Sequence, residues 1–116
     1  MKQSKAQTFN DGVVKIYAVD NIAAPGDKPK EGLTLKHTLR FDERTVGMNR
    51  FYAALQNNVK VDMVVRTQWL ADVSIQDVAV VNDVQYKVRQ VQYPSDITPP
   101  CMDLSLERLM QKYDLA

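Results

Sequence analysis

The sequence predicts a mainly β domain: a small curved antiparallel sheet or partly closed β-barrel of about six strands, with one short α-helix inserted between strands. Three observations carry this. Several runs alternate apolar and polar residues with a period of two, one intervening run changes to helical spacing, and one strand-like run switches the parity of its apolar positions partway along.

Residues 1–12 are polar and read as a flexible N-terminal arm. Val13 to Val19 (VVKIYAV) is β-branched and aromatic, as strands are. Asp20 to Gly32 (DNIAAPGDKPKEG) holds two prolines, two glycines and mixed charges, the chemistry of a long exposed loop. Leu33, Leu35, His37, Leu39 and Phe41 then alternate with Thr34, Lys36, Thr38 and Arg40, predicting a half-buried strand with the first set on one face.

The period changes in TVGMNRFYAALQNN, where Met48, Phe51, Tyr52, Leu55 and Val59 share one helical face. Thr45 is placed to cap the start and Asn57-Asn58 to end it, which predicts a helix of about three turns. Val59 to Thr67 returns to period two. After a less regular connection from Trp69 to Asp77, Val78–Val81 and Val84–Tyr93 flank Asn82-Asp83, two residues that tolerate the positive φ of a tight hairpin. In the second arm Val84, Tyr86 and Val88 have one parity and Val91 and Tyr93 the other, so a bulge is expected near Arg89 and Gln90. Pro94, Pro99 and Pro100 stiffen the next loop. Met102, Leu104 and Leu106 alternate in a final strand, followed by a polar C-terminal tail over residues 107–116.

At 116 residues the chain suits one domain, 1–116, which would bury roughly 65% of its unfolded surface. The single cysteine, Cys101, excludes an internal disulfide and a multi-cysteine zinc site. No run is apolar enough for a signal peptide or a membrane-spanning helix, so the expected place of synthesis is the cytoplasm, with no membrane partner. Net charge is +1, without the basic excess of a dedicated nucleic-acid binder. Residues 1–66 carry eleven Lys and Arg against seven Asp and Glu, and residues 67–116 carry four against seven, an asymmetry of +4 to −3.

Chemistry is hard to place on this chain. His37 is the only histidine and shares an apolar strand face, where a satisfied structural histidine is expected rather than a ligand or base. No phosphate-cradling glycine loop, nucleophile elbow or zinc motif occurs, and the adjacent Asp42-Glu43 would diverge on an extended backbone. Tyr86 with Lys87 and Arg89 reads as core residue and outer charges rather than as a base-stacking platform. Neither an enzyme nor a cofactor is expected. Trp69, in an irregular connection, is either a core plug or an interface anchor.

Three segments in register, RTVGMNRFYAALQNNVKVDMVVRT (residues 44–67), VAVVNDVQYKVRQVQYP (78–94) and PPCMDLSLERL (99–109), resemble the head closure, or head-tail connector, proteins of tailed bacteriophages, chiefly those of Gram-positive hosts and their prophages. The resemblance covers about residues 33 to 110 and includes no catalytic motif. It implies a β-barrel-like stopper subunit that assembles as a homo-oligomeric ring, six- or twelve-fold, at the portal vertex. The ring would close the DNA channel after packaging and connect head to tail in the virion. Its implied partners are further copies of itself, the portal or adaptor protein, a tail terminator or tail protein, and the packaged DNA. In related stoppers a loop projecting into the lumen gates the channel. The loop Asp20 to Gly32 is the candidate here, with Pro25, Gly26, Asp27, Lys28 and Lys30, and Arg44, Arg50 and Trp69 are further candidate contacts. A tail terminator or other neck ring protein is the neighbouring alternative, and a small nucleic-acid-binding β-barrel module is the alternative from another class.

Overall fold

In the computed structural model the described residues are 5–6, 8–44, 60–95 and 97–115, and the strands they form dominate the fold. They are β1 (Lys5–Ala6), β2 (Gly12–Asn21), β3 (Glu31–Arg44), β4 (Met63–Gln68), β5 (Val78–Val81), β6 (Val84–Gln92), β7 (Ile97–Thr98), β8 (Cys101–Arg108) and β9 (Asp114–Leu115). The expected helix at Thr45 to Asn58 lies outside the described residues, as does Arg50.

Six strands form one antiparallel sheet in the order β2-β5-β6-β8-β4-β3, with β9 added parallel to β3. An additional pairing of β2 with β3 joins the two ends of that order, so the ladders link the six strands in a circuit. One side of this sheet holds the main core, in which Val14, Ile16, Phe41, Val65, Val88, Met102, Leu104 and Leu106 pack together. The strands that supply it are the runs whose period-two alternation is visible in sequence.

The hairpin turn is as the sequence predicts: Asn82 and Asp83 have φ of 51° and 63°, the left-handed pair that matches strand twist. The bulge is also where the parity switch puts it. Val88 pairs with Leu106 and Gln90 with Ser105, leaving Arg89 as the extra residue, after which Val91 turns back onto the core.

Four expectations are corrected. First, the alternation of Leu33 to Phe41 does not hold one face. Ile16 pairs with His37 but Tyr17 pairs with Leu35, so Lys36 is an inserted residue and the faces exchange there. Leu39 and Phe41 meet the main core, whereas Leu33 joins Tyr17 and Val78 in a second cluster and Leu35 is left exposed. Second, strand bounds shift: β4 begins at Met63, with Lys60 to Asp62 before it rather than in the strand, while β2 and β3 are longer than the sequence suggests. Gly12 belongs to β2 rather than to the arm, Asp20, Asn21, Glu31 and Gly32 belong to the β2–β3 ladder rather than to the loop, and Asp42 to Arg44 extend β3.

Third, the tail is not loose. Glu107 and Arg108 complete β8, and the segment beyond crosses the second cluster as a strap. The buried Gln85 amide brackets it, donating to Tyr113 O at 2.9 Å and accepting from Tyr113 N at 2.8 Å. Leu109 and Tyr113 pack on the cluster and β9 pairs with Gly32–Leu33. Fourth, the arm contributes a strand, since Lys5–Ala6 pairs parallel with Ile97–Thr98.

Candidate functional site

Residues 22 to 30 form the tip of the longest hairpin, and local bonds order it. Asn21 Oδ1 accepts both the Ala23 and the Lys30 N–H, each at 3.0 Å, which closes the base of the loop from both sides. Ile22 N donates to Lys30 O at 2.9 Å just beyond. Ala24-Pro25-Gly26-Asp27 is a β-turn closed by Asp27 N to Ala24 O at 3.0 Å. Pro25 occupies its second position, and Gly26, at φ +88°, its third, where a left-handed backbone is required. Pro25, Gly26, Asp27, Lys28 and Pro29 are all exposed. Lys30 pairs with Asp114 of β9 at 2.6 Å, both side chains remaining more than half exposed, so this cation anchors the tip to the strap.

The hairpin is set at a definite angle by the inserted residue in β3. A bulge turns two successive side chains to one side, and here Lys36 and His37 both reach the connection between β4 and β5. Lys36 Nζ bonds the buried Asp77 at 2.9 Å and also donates to Asp72 O; His37 Nε2 lies 2.8 and 2.9 Å from the two Asp72 carboxylate oxygens. The hydrogen bond from His37 holds the Asp72 carboxyl below its ordinary value. Asp77 Oδ2 also accepts Ser74 N at 2.9 Å, folding the connection on itself. His37 is thus a structural latch in this arrangement.

Trp69 begins that connection. It is 46% exposed and meets the equally exposed Tyr93 edge to face, with ring centroids 6.1 Å apart. Its N–H backbone donates to Pro100 O at 3.2 Å. Phe9, Gln68, Trp69, Pro99 and Pro100 line an open cleft of about 380 Å³. At this exposure Trp69 is not enclosed as a core plug would be. Tyr93, Phe9 and the two prolines are the functional candidates the sequence reading missed. The available signal was four large apolar residues, each placed within two residues of a turn or loop.

Arg44 ends β3 with its guanidinium 3.6 Å from Asp42. Asp11, at the start of β2, accepts the Glu43 N–H at 2.7 Å, and that bond with a second one to Asp42 lowers its carboxyl pKa. The tip of the hairpin and this end of it are therefore separate surfaces: Pro25 to Lys30 are not brought together with Arg44 or Trp69.

Buried polar chemistry lies beside this end of β3, on the face of β4 and β8 opposite the main core, where Arg66 is in register with Asp42. Arg66 grips Asp103 in a two-pronged pair, Nε to Oδ1 at 2.7 Å and Nη2 to Oδ2 at 2.9 Å, with side chains 11% and 8% exposed. Cys101 is a buried free thiol whose pKa burial raises, a direction opposite to that of an activated nucleophile. Among the described residues no group of three or more His, Cys, Asp or Glu is placed to hold a metal ion, and no helix is long and apolar enough to cross a membrane.

Fold and surfaces together define a small mainly β protein with an ordered projecting hairpin and an aromatic cleft at some distance from it. No protein-family model matches the chain, and no curated protein matches it in sequence.

Proposed function

We propose that the chain is a structural subunit of the tailed-phage neck, assembling as a ring at the portal vertex that closes the DNA channel after packaging and connects head to tail. The observation that carries this reading is the hairpin tip: an exposed loop ordered by Asn21 and a proline–glycine turn, set out on the longest ladder of the sheet. A segment held in one shape while exposed is prepared for contact, because its ordering entropy is already spent when a partner arrives. The resemblance of residues 33 to 110 supplies the particular partners, namely the portal or adaptor protein above and a tail protein below.

On this reading the circuit of strand pairings makes a partly closed barrel, which would hide lateral strand edges and leave loops and hairpins as the means of association. Ring assembly makes weak individual contacts strong by effective concentration, so one subunit needs neither a deep pocket nor a large interface. On this reading Arg44, Arg50 and Trp69 contact neighbouring subunits or the adaptor, and Lys28 is the tip cation nearest the channel contents. The finished assembly sits at the head-tail interface of the virion. The test is incubation of the purified protein with portal–adaptor particles, followed by electron microscopy. A closed ring of six or twelve copies below the adaptor is expected, and particles that acquire no added density would overturn the reading.

A further inference from the structure

We infer that the strap beyond β8, residues 109–115, is a releasable third strand for the projecting hairpin. Docked, it holds the tip in shape; released, it opens together with the tip as one unit, below global unfolding. The device belongs to the single chain and does not depend on ring assembly. The sheet leaves the hairpin in need of such support. β5 pairs with β2 only over Val14–Tyr17, and β4 pairs with β3 only over Phe41–Arg44. Beyond Tyr17 and Leu35 the two arms run on as a ribbon to Asn21 and Glu31, and among the described residues only β9, at Gly32 and Leu33, adds a strand to it. A two-stranded ribbon by itself is marginal in water, so its order leans on that third strand.

The strap bridges parts of the molecule that the sheet keeps apart. It leaves β6, where Leu109 N donates to Gln85 O at 3.0 Å and the Gln85 side chain brackets Tyr113. It then crosses the cluster of Val78 and Val80 from β5 with Tyr17 and Val19 from β2, and reaches β3. There it grips the base of the tip. Lys30 Nζ meets Asp114, and a Cβ on Gly32 would stand 2.9 Å from Asp114 O while overlapping Ile22, whose own N–H donates to Lys30 O. Ile22, Gly32 and Asp114 thus lie within a side chain's width of one another, and a displaced strap takes the packing of the loop base with it.

The hold on the strap is local. Met110 is 97% exposed, Gln111 and Lys112 are exposed, and Leu109 and Tyr113, which join the second cluster, are only half-buried. The Lys30–Asp114 pair lies in water and adds little. The Gln85 bracket is the specific tie, and opening the strap breaks both of its bonds at once. Segments with few buried contacts open at less than the global free energy. Coupling between two such segments is reciprocal, so loosening either one loosens the other.

The test is native-state hydrogen exchange, read by NMR on the unmodified chain across a series of low urea concentrations. The amides of Ile22, Ala23 and Lys30 report on the tip, that of Tyr113 on the strap, and those of Val65 and Leu104 on the core. Tip and strap amides should share one opening with one urea dependence, at lower free energy than the core. Gln85→Ala, a change on β6 outside the hairpin, should speed exchange at Tyr113, Ala23 and Lys30 alike by roughly tenfold. Asn21→Ala should in turn speed Tyr113 several-fold. A tip that keeps its rate when Tyr113 is loosened, or a Tyr113 unmoved by Asn21→Ala, would overturn the coupling. Strap amides that exchange only with the core would overturn the release. Should Gln85→Ala not fold, the urea series on the unmodified chain decides by itself, since separate openings for tip and strap contradict a single unit.

Discussion

Asp72 shows how one residue ties pH to shape. Its carboxyl lies below the ordinary 3.8 because His37 bonds the charged form. A group with a depressed folded pKa stabilises the fold above its unfolded value, and that contribution is lost as pH falls through the folded value. Asp72 is exposed, so the effect is small, but it acts on the latch that aims the hairpin. Asp72→Asn should therefore cost stability in urea unfolding at pH 7, and that cost should shrink as pH is taken below 3.8. Arg66 and Asp103 act on a larger scale, because both are withdrawn from water. Arg66→Ala removes the two-pronged partner of a buried carboxylate and should lower stability by about 3 kcal/mol in thermal or urea unfolding. The double change to apolar residues of similar size, Arg66→Met with Asp103→Leu, should recover most of that loss. Neither pairing was legible in the sequence. Arg66 meets Asp103 only once β4 and β8 are in register, and residues 37 apart give no local sign of it.

Among the elements, the strands and the hairpin turn were readable because their patterns are local, and the bulge in β6 because its parity switch is local too. The same signal marks the insertion opposite β2, where Val14 and Ile16 face one way and Tyr17 and Val19 the other, but the unbroken alternation of Leu33 to Phe41 conceals it. The strap was not readable. Its apolar residues, Leu109, Met110, Tyr113 and Leu115, do not keep an unbroken period of two, and it is held by Gln85, 28 residues away, together with a narrow seat at Gly32. A Cβ at Gly32 would overlap Ile22 Cδ1 and stand 2.9 Å from Asp114 O. Gly32→Ala should thus displace the strap, destabilise the protein by about 1 to 3 kcal/mol, and speed tryptic cleavage after Lys112. In the hairpin tip, Asn21→Ala removes the acceptor of two backbone bonds. Hydrogen exchange at Ala23 and Lys30 should accelerate by roughly tenfold, a loss of about 1 kcal/mol, while core amides are unchanged.

At the scale of the whole molecule, the composition already pointed away from a charged nucleic-acid binder, and the candidate loop keeps its place as an exposed projection. Its basic character is weaker than the sequence suggests, since Lys30 is engaged with Asp114. What the sequence could not locate was the aromatic cleft, which gathers Phe9, Trp69 and Pro99-Pro100 from three distant segments. A projection and a cleft lie on one small β scaffold, and the proposal is that a ring of such subunits closes a DNA-filled head and joins it to a tail. The most direct measurement adds purified protein to DNA-filled capsids that lack it and scores DNA retention, then tail attachment. The account predicts that both are restored. Capsids that keep their DNA without the protein yet still fail to join tails would contradict channel closure and move the chain to the tail side of the neck.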